Sequence, residues 1–97
     1  MDKITIQSQK ETAAGWELDV VVGEGKDTTR HHVTVDKDYA ASLNVGGSTV
    51  EMIVETSFEF LLAREPKTSI LRTFSLDVIE DYFSEYKPVI KKMMEMK

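Results

Sequence analysis

The stretch GWELDVVVGEGKDTTRHHVTV, residues 15–35, decides the fold. Trp16, Leu18, Val20 and Val22 alternate with Glu17, Asp19 and Val21, the period of two that a half-buried strand requires. The even-numbered side is apolar and is expected to face the core. Gly23-Glu24-Gly25-Lys26-Asp27 supplies two glycines and an aspartate, which predicts a hairpin turn longer than the two-residue minimum. A further strand follows over 28–35, with His31, Val33 and Val35 on its core side and Arg30, His32 and Thr34 on the other. Val21, apolar on an otherwise polar side, hints at a partner or at self-association.

Before this hairpin, Ile4 and Ile6 alternate with Lys3, Thr5 and Gln7, which predicts a first strand over 3–9. Three short sequential strands pair most simply as an antiparallel meander with one face left for helices. After it the period changes. Asp36 is placed to cap a short helix reaching Leu43, closed by Asn44-Val45-Gly46-Gly47. Ser48-Thr49-Val50-Glu51 matches a capping box, and Val50, Ile53, Val54, Ser57, Phe58, Leu61 and Leu62 then recur at helical spacing. This predicts a central helix over 48–65, stopped by Pro66. A short helix over 66–73 is expected to offer Ile70, Leu71 and Phe74 to the core. Another, capped by Ser75, presents Leu76, Val78, Ile79, Tyr82 and Phe83, and a last one opened by Pro88 carries Val89, Ile90, Met93 and Met94. The expected fold is α+β, one domain over 1–97: a three-stranded antiparallel β-meander followed by four to five helices packed on one face.

Composition narrows the function. A chain of 97 residues with 41% hydrophobic and 30% charged residues has the balance of a small globular domain. It has no cysteine, which excludes a disulfide framework, a thiolate metal site and a cysteine nucleophile. No apolar run approaches signal-peptide or membrane-spanning length, so the expected compartment is the cytoplasm. A net charge of −5 argues against nucleic acid as a partner, since phosphate backbones demand a cationic surface. A site on Arg64, Lys67 and Arg72 would be needed to reverse that expectation.

Among candidate residues, the adjacent His31 and His32 bring metal-binding and proton-transfer chemistry to mind, but neighbours in a strand point to opposite faces and cannot share one mononuclear site. A buried His31 needs a hydrogen-bond partner, which a helix carboxylate or a tyrosine hydroxyl would supply. Glu51, Glu55 and Glu59, four apart, form an acidic ridge that could meet a basic partner or a divalent cation; the plainer reading is a solvated helix face. Gly46-Gly47-Ser48-Thr49 reads as a helix cap before it reads as an anion site, lacking the lysine of a nucleotide-binding loop. Met93, Met94 and Met96 beside lysines could form an adaptable docking surface, against a simpler packed terminus. No serine elbow, paired-histidine helix motif or dinucleotide fingerprint is present.

The run Ser57-Phe58-Glu59-Phe60-Leu61-Leu62-Ala63-Arg64-Glu65-Pro66, with Ser69-Ile70-Leu71-Arg72-Thr73-Phe74, Val78-Ile79 and Tyr82-Phe83-Ser84-Glu85-Tyr86, resembles a family of small uncharacterised prokaryotic proteins, a domain of unknown function. The likeness covers mainly 48–86, and the family usually has proline where this chain has Ser84. It implies a compact domain and carries over no catalytic or binding residue. The resulting expectation is a non-catalytic protein-interaction module acting through the acidic ridge or the sheet's other face, with no cofactor and an unidentified protein partner. The alternative is a small-ligand or metal-binding protein, weakly catalytic at most, that uses His31 or His32 with a carboxylate.

Overall fold

The computed structural model describes residues 2–43 and 49–96. Strands β1 (Ile4–Glu11), β2 (Gly15–Glu24) and β3 (Asp27–Asp36) form the expected antiparallel meander, followed by α1 (Lys37–Ser42) and α2 (Val50–Leu62). A one-turn 3-10 helix at Lys67–Ser69 leads to β4 (Thr73–Ser75), and α3 (Val78–Tyr82) and α4 (Tyr86–Glu95) complete the chain. The sheet is therefore four-stranded and mixed, in the order β1-β2-β3-β4, because β4 pairs parallel to β3. This corrects the expectation of three antiparallel strands, and with it the helix over 66–73. Ser75 lies in β4 and does not cap a helix; α3 starts behind Asp77, which makes no side-chain capping bond.

The even-numbered residues of β2 do face the core: Leu18, Val20 and Val22 are fully buried, together with Val33 and Val35 of β3, and Trp16 packs at the margin. Each such side chain withdrawn from water contributes about 1.5–3 kcal/mol. The β2–β3 turn is shorter than its glycines suggest. Glu24 pairs with Asp27, leaving only Gly25 and Lys26 in the loop, and Gly25 takes the left-handed φ of +62° that a two-residue turn favours. At the other end of β2, Gly15 lies so close to β3 that a Cβ there would collide with the Val35 carbonyl oxygen.

Asp36 caps α1 as expected, its Oδ1 accepting from the amides of Asp38 and Tyr39 at 2.8 and 3.2 Å. Thr49 holds the N-cap of α2 and accepts from Met52 at 3.2 Å. The Ser48 half of the capping box, the Asn44–Gly47 stop and most of the glycine-rich anion candidate lie outside the described residues. Helix α2 buries Ile53, Val54, Phe58, Phe60 and Leu61. Within residues 57–86, Phe58, Phe60, Ile70, Phe74, Ile79 and Tyr86 are core positions. Two residues expected in the core are not there: Leu71 is 46% exposed, in the non-helical segment before β4, and Tyr82 is 69% exposed, where α3 ends after five residues.

Tyr86 ties α4 to α2. Ser57 Oγ donates to the Ile53 carbonyl at 2.7 Å, which uses its only proton, so the Tyr86 hydroxyl, 2.7 Å away, donates to Ser57. Burial pushes the Tyr86 hydroxyl's pKa well up, keeping it a neutral donor. Tyr86→Phe removes that one bond while keeping the ring against Phe60. It is expected to lower stability by about 1 kcal/mol in urea denaturation, and a loss near zero would show the bond to be dispensable.

Candidate functional site

The face of the sheet that no described helix covers carries the odd-numbered residues of β2, the even-numbered residues of β3 and the outward residues of β1. The two-residue turn fixes its pairs: Asp19 stands opposite His32, and Val21 opposite Arg30. A bulge at Gln7, between the pairs Ile6–Val20 and Ser8–Asp19, turns both Gln7 and Ser8 to this face.

At its centre His32 lies between two carboxylates. Its Nδ1 donates to Asp19 Oδ1 at 2.9 Å and its Nε2 to Glu17 Oε1 at 3.0 Å. A ring that donates from both nitrogens is an imidazolium. Asp19 first, then Glu17, raise its pKa above the ordinary histidine value. In return the imidazolium, followed by the Ser8 hydroxyl that donates to Asp19 Oδ2 at 2.7 Å, holds the Asp19 carboxyl below its usual range. The order of the chain, hydroxyl to carboxylate to imidazole, differs from the one that activates a serine, where the imidazole stands between hydroxyl and carboxylate.

Beside this cluster run two adjoining recesses of about 450 and 370 Å³ that share Gln7, Val21 and Arg30. Lys3, Glu24 and Thr28 line the first, and Asp19, His32, Arg72 and Thr73 the second. Arg30 donates to the Gln7 side-chain carbonyl at 2.8 Å. Arg72 makes no ion pair among the described residues and borders the trough at its β4 end. Half-buried Val21 supplies an apolar floor among these groups.

His31 is on the opposite, covered side and is 2% exposed. Its partners are neither a helix carboxylate nor a tyrosine: Nδ1 donates to the Leu71 carbonyl at 2.7 Å, and Nε2 accepts from the Thr29 hydroxyl at 2.8 Å. This is the neutral tautomer, and burial pushes its pKa below the ordinary value. The Phe58 ring packs edge-on against it with ring centres 5.3 Å apart.

The candidate residues therefore do not converge. Glu51 and Glu55 are exposed on α2 and Glu59 is half-buried there, His31 is in the core, and His32 is on the open sheet face. Among the described residues no group of three His, Asp or Glu is arranged to hold a metal ion. Nor do Arg64, Lys67 and Arg72 form one patch: Arg64 is engaged by Glu85 at 3.7 Å, and Lys67 by Asp27 and Asp2 at 3.1 and 3.4 Å. Of the three methionines, Met94 is buried, Met93 half-buried and Met96 exposed. No helix among the described residues is long and apolar enough to cross a membrane. Glu17, Asp19 and Gln7 were not apparent as site residues from the sequence, and Arg72 was raised only together with Arg64 and Lys67; the alternation of β2 held the signal for the two carboxylates. In comparisons with known proteins, no family model, no curated protein and no solved structure matches this chain.

The two histidines are expected to titrate on opposite sides of the ordinary value of about 6.5, His32 above and His31 below, when ring protons are followed by NMR. The stabilisation from pairing His32 is complete below about pH 6.5 and is lost as pH rises through its raised value. That from neutral His31 is present above about pH 6.5 and is lost as pH falls through its depressed value. Asp19→Asn should lower the His32 midpoint and leave His31 unmoved. A His32 midpoint at or below 6.5 would contradict the pairing.

Proposed function

We propose that this chain is a non-catalytic interaction module that binds an acidic segment of a partner protein along the trough on the open face of its sheet. The observation that carries the reading is the gathering of Lys3, Arg30, Arg72 and the His32 imidazolium around Val21 in a chain of net charge −5. Like charges are costly to collect unless something compensates them. The His32 imidazolium offsets one of the two charges of Glu17 and Asp19, and Glu24 also lines the trough, so Lys3, Arg30 and Arg72 leave a small excess of positive charge to meet carboxylates from outside.

The residue types suit the task. Arginine presents a planar fork to carboxylates, Thr28 and Thr73 add neutral hydrogen-bonding groups, and Val21 gives an apolar contact at the centre. The acidic remainder of the surface repels a long polyanion approaching from any other side, which favours a short acidic peptide over a nucleic-acid backbone.

The test titrates the isotope-labelled protein with a 12-residue peptide rich in Asp and Glu and, separately, with a single-stranded oligonucleotide of similar charge. Peptide-induced NMR shifts are expected at Val21, Arg30, His32 and Thr73, with affinity falling about tenfold between low and physiological salt. Arg30→Glu combined with Arg72→Glu should abolish them and change stability by no more than about 0.5 kcal/mol. Shifts confined to the helical layer, or tighter binding of the oligonucleotide, would overturn the reading.

A further inference from the structure

On the other side of the molecule, the end of α2, the turn through Ser69 and Ile70, and α3 enclose a recess of about 290 Å³. Its walls are apolar: Leu61, Ile70, Phe74, Ile79 and Phe83. At its border stand Leu71, 46% exposed, and Tyr82, 69% exposed, two of the four large hydrophobic side chains most open to solvent among the described residues. Apolar surface is concentrated here both inside the recess and around it.

One carboxylate lines the recess, that of Glu65. Its backbone amide donates to the Leu61 carbonyl at 2.9 Å, continuing the last turn of α2, while its carboxylate has no hydrogen bond or ion pair among the described residues. The cations nearest in sequence are committed elsewhere. Arg64 lies with its guanidinium 3.7 Å from the centre of the Phe60 ring and its Nε 3.7 Å from Glu85, and Lys67 bridges Asp2 and Asp27. Partial burial against the apolar walls pushes the Glu65 carboxyl up.

An apolar cavity with a single uncompensated carboxylate at its edge is complementary to one kind of molecule. We propose that this recess is a binding site for a small amine with an apolar body, an aryl-alkyl ammonium, whose cationic end pairs with Glu65 and whose ring fills the space between Leu61, Phe74 and Phe83. A cavity of roughly 150 Å³ accepts a benzene ring, so this one has room for a ring and a short alkyl arm. A carboxylate on the same body would meet Glu65 as a like charge, and a neutral alcohol would leave it unpaired. The site is separate from the sheet face, and neither reading depends on the other.

The test uses three probes that differ only in their end group, 4-phenylbutylamine, 4-phenylbutanol and 4-phenylbutyrate, titrated into the labelled full chain. The amine is expected to shift Leu61, Leu71 and Phe83 with a Kd of about 1 mM or tighter, as befits a probe of its size. It should bind about tenfold tighter than the carboxylate, with the alcohol between. Glu65→Gln, at a half-exposed position, should reduce the amine to the level of the alcohol without changing the rest of the spectrum. Equal affinity for all three probes, an amine preference that survives Glu65→Gln, or no shift in the recess at about 10 mM amine would each overturn the proposal.

Discussion

A buried imidazole with a proton to donate must be given an acceptor, and His31 obtains one from the Leu71 carbonyl. The segment that supplies it leaves the helical conformation at Ile70, where the backbone is extended. Its extended backbone offers the Arg72 carbonyl to the His32 amide at 2.7 Å, and Leu76 donates to Thr34 at 2.9 Å, which is how β4 comes to lie parallel to β3. Successive residues then divide between the two sides. Ile70 and Phe74 enter the core, Leu71 borders the helical recess, and Arg72 and Thr73 reach the open face.

This is also where the sequence was least legible. Ile70, Leu71 and Phe74 are spaced as a helical stripe would be, and a three-residue strand is too short to show alternation, so nothing local separates the two readings. The deciding information is a tertiary hydrogen bond to a residue 40 positions earlier. The hairpin was the opposite case. Seven alternating residues in β2 left one possible facing, and Leu18, Val20, Val22, Val33 and Val35 are buried as that pattern requires. Tyr82 fell between the two, since a five-residue helix has too little length for its spacing to define a buried stripe.

The candidate site was legible by half. Alternation placed His31 and His32 on opposite faces, and Glu17 and Asp19 on one side of β2, but which residue opposes His32 depends on the number of residues in the turn. Two glycines suggested a longer loop; with Gly25 in the left-handed region two residues suffice, and the register brings Asp19 directly across from His32. Reading a five-residue turn over 23–27 in place of a two-residue one shifts the register and was enough to hide the ion cluster. The long-range contributions of Arg72 and Gln7 depend on β4 and on a bulge, neither of which has a local signature.

The division of charge follows from the same layout. Glu51 and Glu55 point outward from α2, on the far side of the helix from its buried stripe, while the cations of the trough sit on the bare sheet face. The β2–β3 hairpin thus supplies the core with one face and the candidate interface with the other.

The bulge in β1 has a meaning beyond the side chains it turns. An open sheet ends in two rows of unsatisfied backbone groups, each a template on which a foreign strand can grow. Here one border is interrupted at Gln7 and carries Lys3 and Lys10, and the other is the three residues of β4 beside the rest of β3, which is broken by the charged residues Asp27, Arg30 and Asp36. Neither offers a long, flat, uncharged run for cross-strand addition, so a chain that leaves a whole sheet face exposed is still protected against polymerising through its edges.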